Sequence, residues 1–166
     1  MRRRKFLRWG ALLGVPSFLY AKIPYYKRMS FSEVYLYIEA VQAHMFPKES
    51  QLPSSAEMAM TPFLFETIAH PSYYRDIRIF VIEGAEKLAK RENGKFVTYL
   101  AEERERALRR YEKTAYGKRW LSRILILSME ALLSDPVYGS NRQEKGWRAL
   151  HVEGGNPRPA QRYLLR

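Results

Sequence analysis

The segment from Lys118 to Leu133 does most to limit what this chain can fold into. It carries Trp120, Leu121, Ile124, Leu125, Leu127, Ala131 and Leu132, which spread over most sides of a helix. A helix apolar all round has to be covered by other elements rather than lie on a surface. Lys118–Leu133 is therefore expected to be the central helix, with Leu125 inside it.

The segments before it have the pattern of helices that could do the covering. Ser30-Phe31-Ser32-Glu33 opens the first. Ser30 or Ser32 can cap its free amides, and Glu33 suits the positive end of a helix. Val34, Ile38, Val41 and Met45 follow at helical spacing until Pro47 stops the run. Ser54-Ser55-Ala56-Glu57 has capping-box spacing and begins a second helix with Met58, Phe63, Leu64, Phe65 and Ile68. Thr61-Pro62 marks a restart or kink within it, and His70-Pro71 its end. Ser72 is expected to cap a third helix, whose inward face is Ile77, Phe80, Val81, Gly84, Ala85 and Leu88 and whose stop is Asn93-Gly94. Phe96 to Lys113 reads as a fourth. Its glutamates (Glu102, Glu103, Glu105) and arginines (Arg104, Arg106, Arg109, Arg110) make a solvated face, with Leu100, Leu108 and Tyr111 inward.

No two runs look like a hairpin, no Gly-rich strand-to-helix turn occurs and no repeat is visible. The expected fold is all-α: a bundle of about five helices over residues 29–134, with an irregular tail at 135–166. The tail holds Tyr138, Trp147, Leu150, Tyr163, Leu164 and Leu165, so it should lie against an apolar surface of the bundle or of a partner.

The net charge of +12 invites a nucleic-acid reading, but its distribution argues against one. Residues 1–28 hold eight basic residues and no acid, and residues 155–166 hold three basic residues and no acid. That leaves 18 basic residues against all 17 acidic ones in residues 29–154. A nucleic-acid binder carries its basic excess on the folded domain. No nucleic-acid partner is expected here.

Residues 1–28 read as an export signal. A basic stretch up to Arg8 precedes an apolar run of about 13 residues, Trp9 to Ala21, broken by Gly10, Gly14 and Pro16. That is short of the ~20 residues a spanning helix needs. Arg3-Arg4-Lys5-Phe6-Leu7 resembles the twin-arginine pattern R-R-x-F-L of the Tat route, which carries folded proteins. Arg3, Arg4, Phe6 and Leu7 are its expected signal residues. Leu19 is large for the position three residues before the cleavage point at Ala21, so the segment can also stay on as an anchor.

Catalytic chemistry is hard to find. The chain has no cysteine, which removes thiolate ligands, disulfides and a Cys nucleophile. His44, His70 and His151 do not pair at metal-ligand spacing and read as surface or loop histidines. Glu102, Glu103 and Glu105 lie among arginines and read as a solvated face rather than an acid–base pair. No phosphate loop, nucleophile elbow or dinucleotide fingerprint appears. No catalytic, cofactor-binding or metal-binding residue is expected in this chain.

The tail carries the most specific motif. Asp135-Pro136-Val137-Tyr138-Gly139-Ser140-Asn141, followed by Gly146-Trp147, resembles the D-P-x-Y-G-G-N…G-W pattern of the gluconate 2-dehydrogenase subunit 3 family. The match rests on Asp135, Pro136, Tyr138, Gly139, Asn141, Gly146 and Trp147. Ser140 departs from it, standing where the family usually has a second Gly. More loosely, the helix ending at Phe46-Pro47, the helix start at Pro53–Ala56 and the Phe96/Leu100/Arg104 segment fit the same layout.

The resemblance implies a small, non-catalytic accessory subunit, with no cofactor of its own, of a periplasmic, membrane-associated dehydrogenase. Its expected partners are a large FAD-dependent subunit that does the chemistry, a cytochrome c subunit that in many members takes the electrons, and the Tat translocase. The small subunit would support maturation of the flavoprotein and carry it through the membrane. Tyr138, Asn141 and Trp147 would position the tail. The competing expectation is a stand-alone scaffold or binding protein held to the membrane by its N-terminus.

Overall fold

The computed structural model describes residues 28–162. Arg3, Arg4, Phe6 and Leu7 lie outside the described residues, as do Tyr163, Leu164 and Leu165. Among the described residues there are six α-helices and no strand: α1 (Phe31–Met45), α2 (Met60–Ala69), α3 (Arg75–Arg91), α4 (Ala101–Glu112), α5 (Ala115–Leu133) and α6 (Lys145–Ala149). The fold is all-α, as expected. The tail is more ordered than expected, with α6 and two short 3-10 turns, Pro136–Tyr138 and Arg142–Glu144. No described helix is long and apolar enough to cross a membrane.

The helix ends follow local chemistry. Ser30 caps α1 in a reciprocal box: its N–H donates to Glu33 Oε2 at 2.6 Å and its Oγ accepts the Glu33 N–H at 3.3 Å. Asn93 adopts a left-handed conformation after α3, and the Gly94 N–H returns to Ala89 O at 2.9 Å, closing the helix as the Asn-Gly pair predicts.

Three local expectations need correction. Ser54 and Glu57 do form their box, but left-handed Ala59 breaks the turn, so α2 starts only at Met60 with Pro62 in its first turn. Ser72 does not cap α3. Its hydroxyl pairs with His70 Nδ1, and Tyr74 stands at the cap position instead. The segment from Phe96 to Lys113 is not one helix: a 3-10 turn at Phe96–Thr98 is followed by extended backbone at Tyr99 and Leu100. Leu100 consequently points out and is 76% exposed, while Leu108 and Tyr111 are buried.

Helix α5 lies at the centre and packs against α1, α2, α3, α4 and α6. Trp120, Ile124, Leu127, Ala131 and Leu132 are fully buried along it. One strip stays open, where Leu125, Ile126 and Leu133 are over two-fifths exposed. Leu125 is therefore not a core residue.

Two details fix how the helices approach. Trp120 packs on α3, where a Cβ on Gly84 would sit 1.9 Å from the indole, and its Nε1 donates to Val81 O at 2.9 Å. Below this, Gln42 joins three helices through a buried chain. Thr61 Oγ1 donates to Gln42 Oε1 at 2.7 Å, and Gln42 Nε2 donates to Ser128 Oγ at 2.8 Å. Each of these buried polar groups has a partner, which is the condition for such a network to stabilise rather than cost energy. A second, methionine-rich core of Phe46, Met58, Met60, Ala131 and Leu132 fills the end of the bundle that the tail closes.

Candidate functional site: the tail seat on the last turn of α5

The C-terminal end of any helix leaves carbonyls with no intrahelical donor. On α5 these meet the tail. Trp147 Nε1 donates to Leu133 O at 2.7 Å, and Asn141 Nδ2 donates to Ser134 O at 2.9 Å. Ser134 Oγ turns back to Ala131 O at 3.3 Å. Asn141 also accepts the Gly146 N–H on Oδ1 at 2.8 Å, so one fully buried amide ties the end of α5 to the start of α6.

Each motif residue has a local reason. Asp135 caps the first 3-10 turn, its Oδ1 accepting the Val137 N–H at 3.0 Å. Pro136 occupies the first position of that turn, where a missing N–H costs nothing. Gly139 ends it at φ 92°, a conformation that strains any side chain. Tyr138 is half-buried between them. Asn141 is left-handed at φ 47°, which asparagine tolerates better than most residues. Gly146 admits the close crossing of α6 on α5, since a Cβ there would lie 2.1 Å from Leu132 O. Trp147 is 7% exposed, and Gly154 leaves room for its ring.

Two arginines beyond the motif clamp it. Arg158 lies 4.6 Å over the Trp147 ring, donates to Asp135 Oδ2 at 2.6 Å and reaches Glu144 at 2.9 Å. Arg162 donates to Val137 O at 2.7 Å and reaches Glu66 on α2 at 3.3 Å. Sequence reasoning counted these two only as basic excess, because nothing in the spacing marks which distant carboxylate an arginine will find.

The electrostatics hold the seat in its charged form. The Val137 amide, and then the Arg158 guanidinium, lower the Asp135 pKa below its ordinary value. Glu57 is brought down to about 2 by the Ser54 amide and hydroxyl, with Lys145 from α6 at 3.3 Å adding to the effect.

The family model of gluconate 2-dehydrogenase subunit 3 matches residues 33–155, from the first turn of α1 through α6. The chain belongs to that family. No curated protein and no solved structure matches it. It is therefore a subunit of a dehydrogenase complex, and that implies partner subunits.

The Asp135–Trp147 stretch thus has a physical role in this subunit 3 chain: it caps α5 and ties α6 to it. Ser140 fits despite departing from the pattern. Its backbone is not in the left-handed region, and its buried hydroxyl pairs with Ser134 Oγ at 2.6 Å.

The histidines lie apart from the seat's hydrogen bonds. His44 is not a plain surface group: its side chain is mostly buried, and Nε2 meets Glu105 Oε2 at 2.5 Å. That contact first, and Arg109 second, lowers the Glu105 pKa. His70 is half-exposed beside Ser72, and His151 is exposed in the left-handed turn that ends α6. Among the described residues no three His, Cys, Asp or Glu side chains are grouped to hold a metal. The charged face of α4 is only partly solvated, because Arg110 binds Glu92, whose side chain is 4% exposed.

Proposed function

We propose that this chain is the non-catalytic accessory subunit of a periplasmic, membrane-associated flavin-dependent dehydrogenase. It holds a large FAD-bearing subunit during maturation and carries it across the membrane by the Tat route. Membership of the subunit 3 family is the observation that carries this reading. Arg3-Arg4 with Phe6-Leu7 supports the export step, since the Tat route accepts folded cargo and one signal can serve two bound chains. In this reading the flavin and the substrate chemistry belong to the partner, a cytochrome c subunit takes the electrons onward, and Asp135–Trp147 shapes the surface offered to the flavoprotein.

The test is replacement of both Arg3 and Arg4 by lysine. The flavoprotein should then accumulate in the cytoplasm with its flavin bound, and periplasmic dehydrogenase activity should disappear. Undiminished periplasmic activity would rule out export by this chain. A parallel assay of the purified chain alone with an artificial electron acceptor should give no turnover of any sugar, sugar acid or polyol. Turnover there would make it an enzyme in its own right.

A further inference from the structure

A furrow runs along the outer side of α1. One half, about 550 Å³, lies between α1, the start of α2 and α4, with Tyr35, Leu36, Ala43 and Pro62 as walls and Arg104 and Arg142 as its cations. The other half, about 520 Å³, continues to Asn93 and Gly94 at the end of α3. Leu36 and Val97 line both halves, so the two adjoin.

Three observations set this furrow apart from the rest of the surface. The first is its apolar character beside exposed aromatic groups. Leu36 is 46% exposed, and Phe31, 6.4 Å from furrow-lining Tyr35, is 67% exposed while packed edge-on against Phe65 at 4.9 Å. Tyr35 stacks on the same Phe65 ring at 5.4 Å. Aromatic anchors beside a groove are the usual make-up of the energetic centre of a protein interface.

The second is an arginine that pairs with carbonyls and with no carboxylate among the described residues. Arg104 Nη2 donates to Val97 O and Tyr99 O, both at 3.1 Å, but its buried Nε has no partner. That Nε is closed off from solvent, so an incoming carboxylate would meet the guanidinium where Arg104 lines the furrow, as a charge-assisted pair.

The third is the way Arg142 is delivered. It stands between left-handed Asn141 and left-handed Gln143 and Glu144. Non-glycine residues in that region carry strain that the surroundings must hold in place. Here the buried Asn141 amide holds it, so the tail seat fixes Arg142 at the mouth of the furrow. Arg104 and Arg142 outnumber Glu39, the acid in that half.

The rival surface is the cleft of about 300 Å³ beside exposed Leu125. Four of its charged or ionisable groups are already paired, His44 with Glu105 and Arg109 with Glu105 and Glu112, and Lys118 is the further cation there.

We infer that the α1 furrow receives an apolar segment of the large dehydrogenase subunit, and that a carboxylate on that segment pairs with Arg104 and Arg142. This rests on the accessory-subunit reading above. The tail motif then acts on the complex indirectly, by holding Arg142 where the partner's acid arrives.

The experiment titrates the purified FAD-bearing subunit onto the full chain and onto Leu36→Asp, Ala43→Arg, Arg142→Glu and Leu125→Asp variants. Circular dichroism melts confirm that each variant is folded. Leu36→Asp and Ala43→Arg should weaken binding by at least about tenfold, and Arg142→Glu should weaken it several-fold with a shallower salt dependence. Leu125→Asp should bind within about twofold of wild type. Folded furrow variants that bind like wild type would overturn the proposal. So would a wild-type chain that dimerises by itself and is split by Leu36→Asp, because the furrow would then serve a second copy. A wild-type chain that does not bind the flavoprotein at all would overturn the accessory reading itself, a result distinct from loss in the variants alone.

Discussion

Trp120 and Trp147 are seated in the same way at two different places. Each indole N–H donates to a backbone carbonyl of a neighbouring element, Val81 for Trp120 and Leu133 for Trp147. Each needs the backbone or ring to come close over a glycine, Gly84 in one case and Gly146 with Gly154 in the other. They differ in what surrounds them. Trp120 is fully buried, with Tyr111 at 5.8 Å, between helices that together make the main core. Trp147 is covered on one side by α5 and on the other by the Arg158 guanidinium. The first seat lies in the main core, and the second lies outside it, so the expectation is that the second opens while the bundle stays folded. A subunit that must keep a stable body while presenting a surface to a partner benefits from that division.

The largest effect should come from breaking the first seat. Trp120→Ala removes a fully buried indole and should cost about 3–5 kcal/mol. Gly84→Ala drives a methyl into the ring and should cost about 3 kcal/mol. Urea denaturation should show both as a shift of the whole cooperative transition to lower urea. If either left global stability unchanged, the proposed role of this seat would be wrong.

Gly146→Ala tests the other side of the comparison. The added methyl meets the Leu132 carbonyl, a backbone atom that cannot swing away, so about 2 kcal/mol should be lost from the tail's docking. Hydrogen exchange should speed up over residues 135–162 while amides in α1 to α5 remain protected. A fall in global stability as large as that of Gly84→Ala would show that the two seats form one cooperative unit.

Trp147→Phe is milder. It keeps an aromatic ring but removes the second ring of the indole with the N–H that serves Leu133 O, for an expected loss of about 1.5 kcal/mol. Faster exchange near the end of α5 is the signal to measure.

The smallest effect is the pH response of the tail. The Asp135 pKa is lowered in the folded state by the Val137 amide first and Arg158 second. A lowered carboxyl contributes stability that is fully present above its unfolded pKa and is lost as pH falls through its folded pKa. Tail protection should therefore decline in acid, below about pH 4. Asp135→Asn should flatten that decline, and an equally steep decline in the variant would assign it to another carboxylate such as Glu57.

Sequence and structure agree best where a signal is local and repeated. The apolar pattern of Lys118–Leu133 identified the central helix, and the Ser30–Glu33 and Asn93-Gly94 pairs marked helix ends, because each depends on residues within one or two turns. Local signals failed where two of them competed. Ser54 and Glu57 formed their box, yet left-handed Ala59 postponed the helix, and the break at Tyr99 turned Leu100 from the core to solvent.

By itself the sequence determined the all-α class, the neutral body between basic ends and the motif that marks the family. Those follow from periodicity, composition and short-range spacing, which are properties of the chain as a line. Only the tertiary structure decided which groups meet across long separations. It brought Arg158 to Asp135, Trp147 to the end of α5 and Trp120 onto Gly84, and it set Arg104 and Arg142 along one furrow. The physical reason is that such pairings depend on how helices cross and on which carbonyls each helix end leaves unsatisfied, neither of which is written in any one stretch of residues.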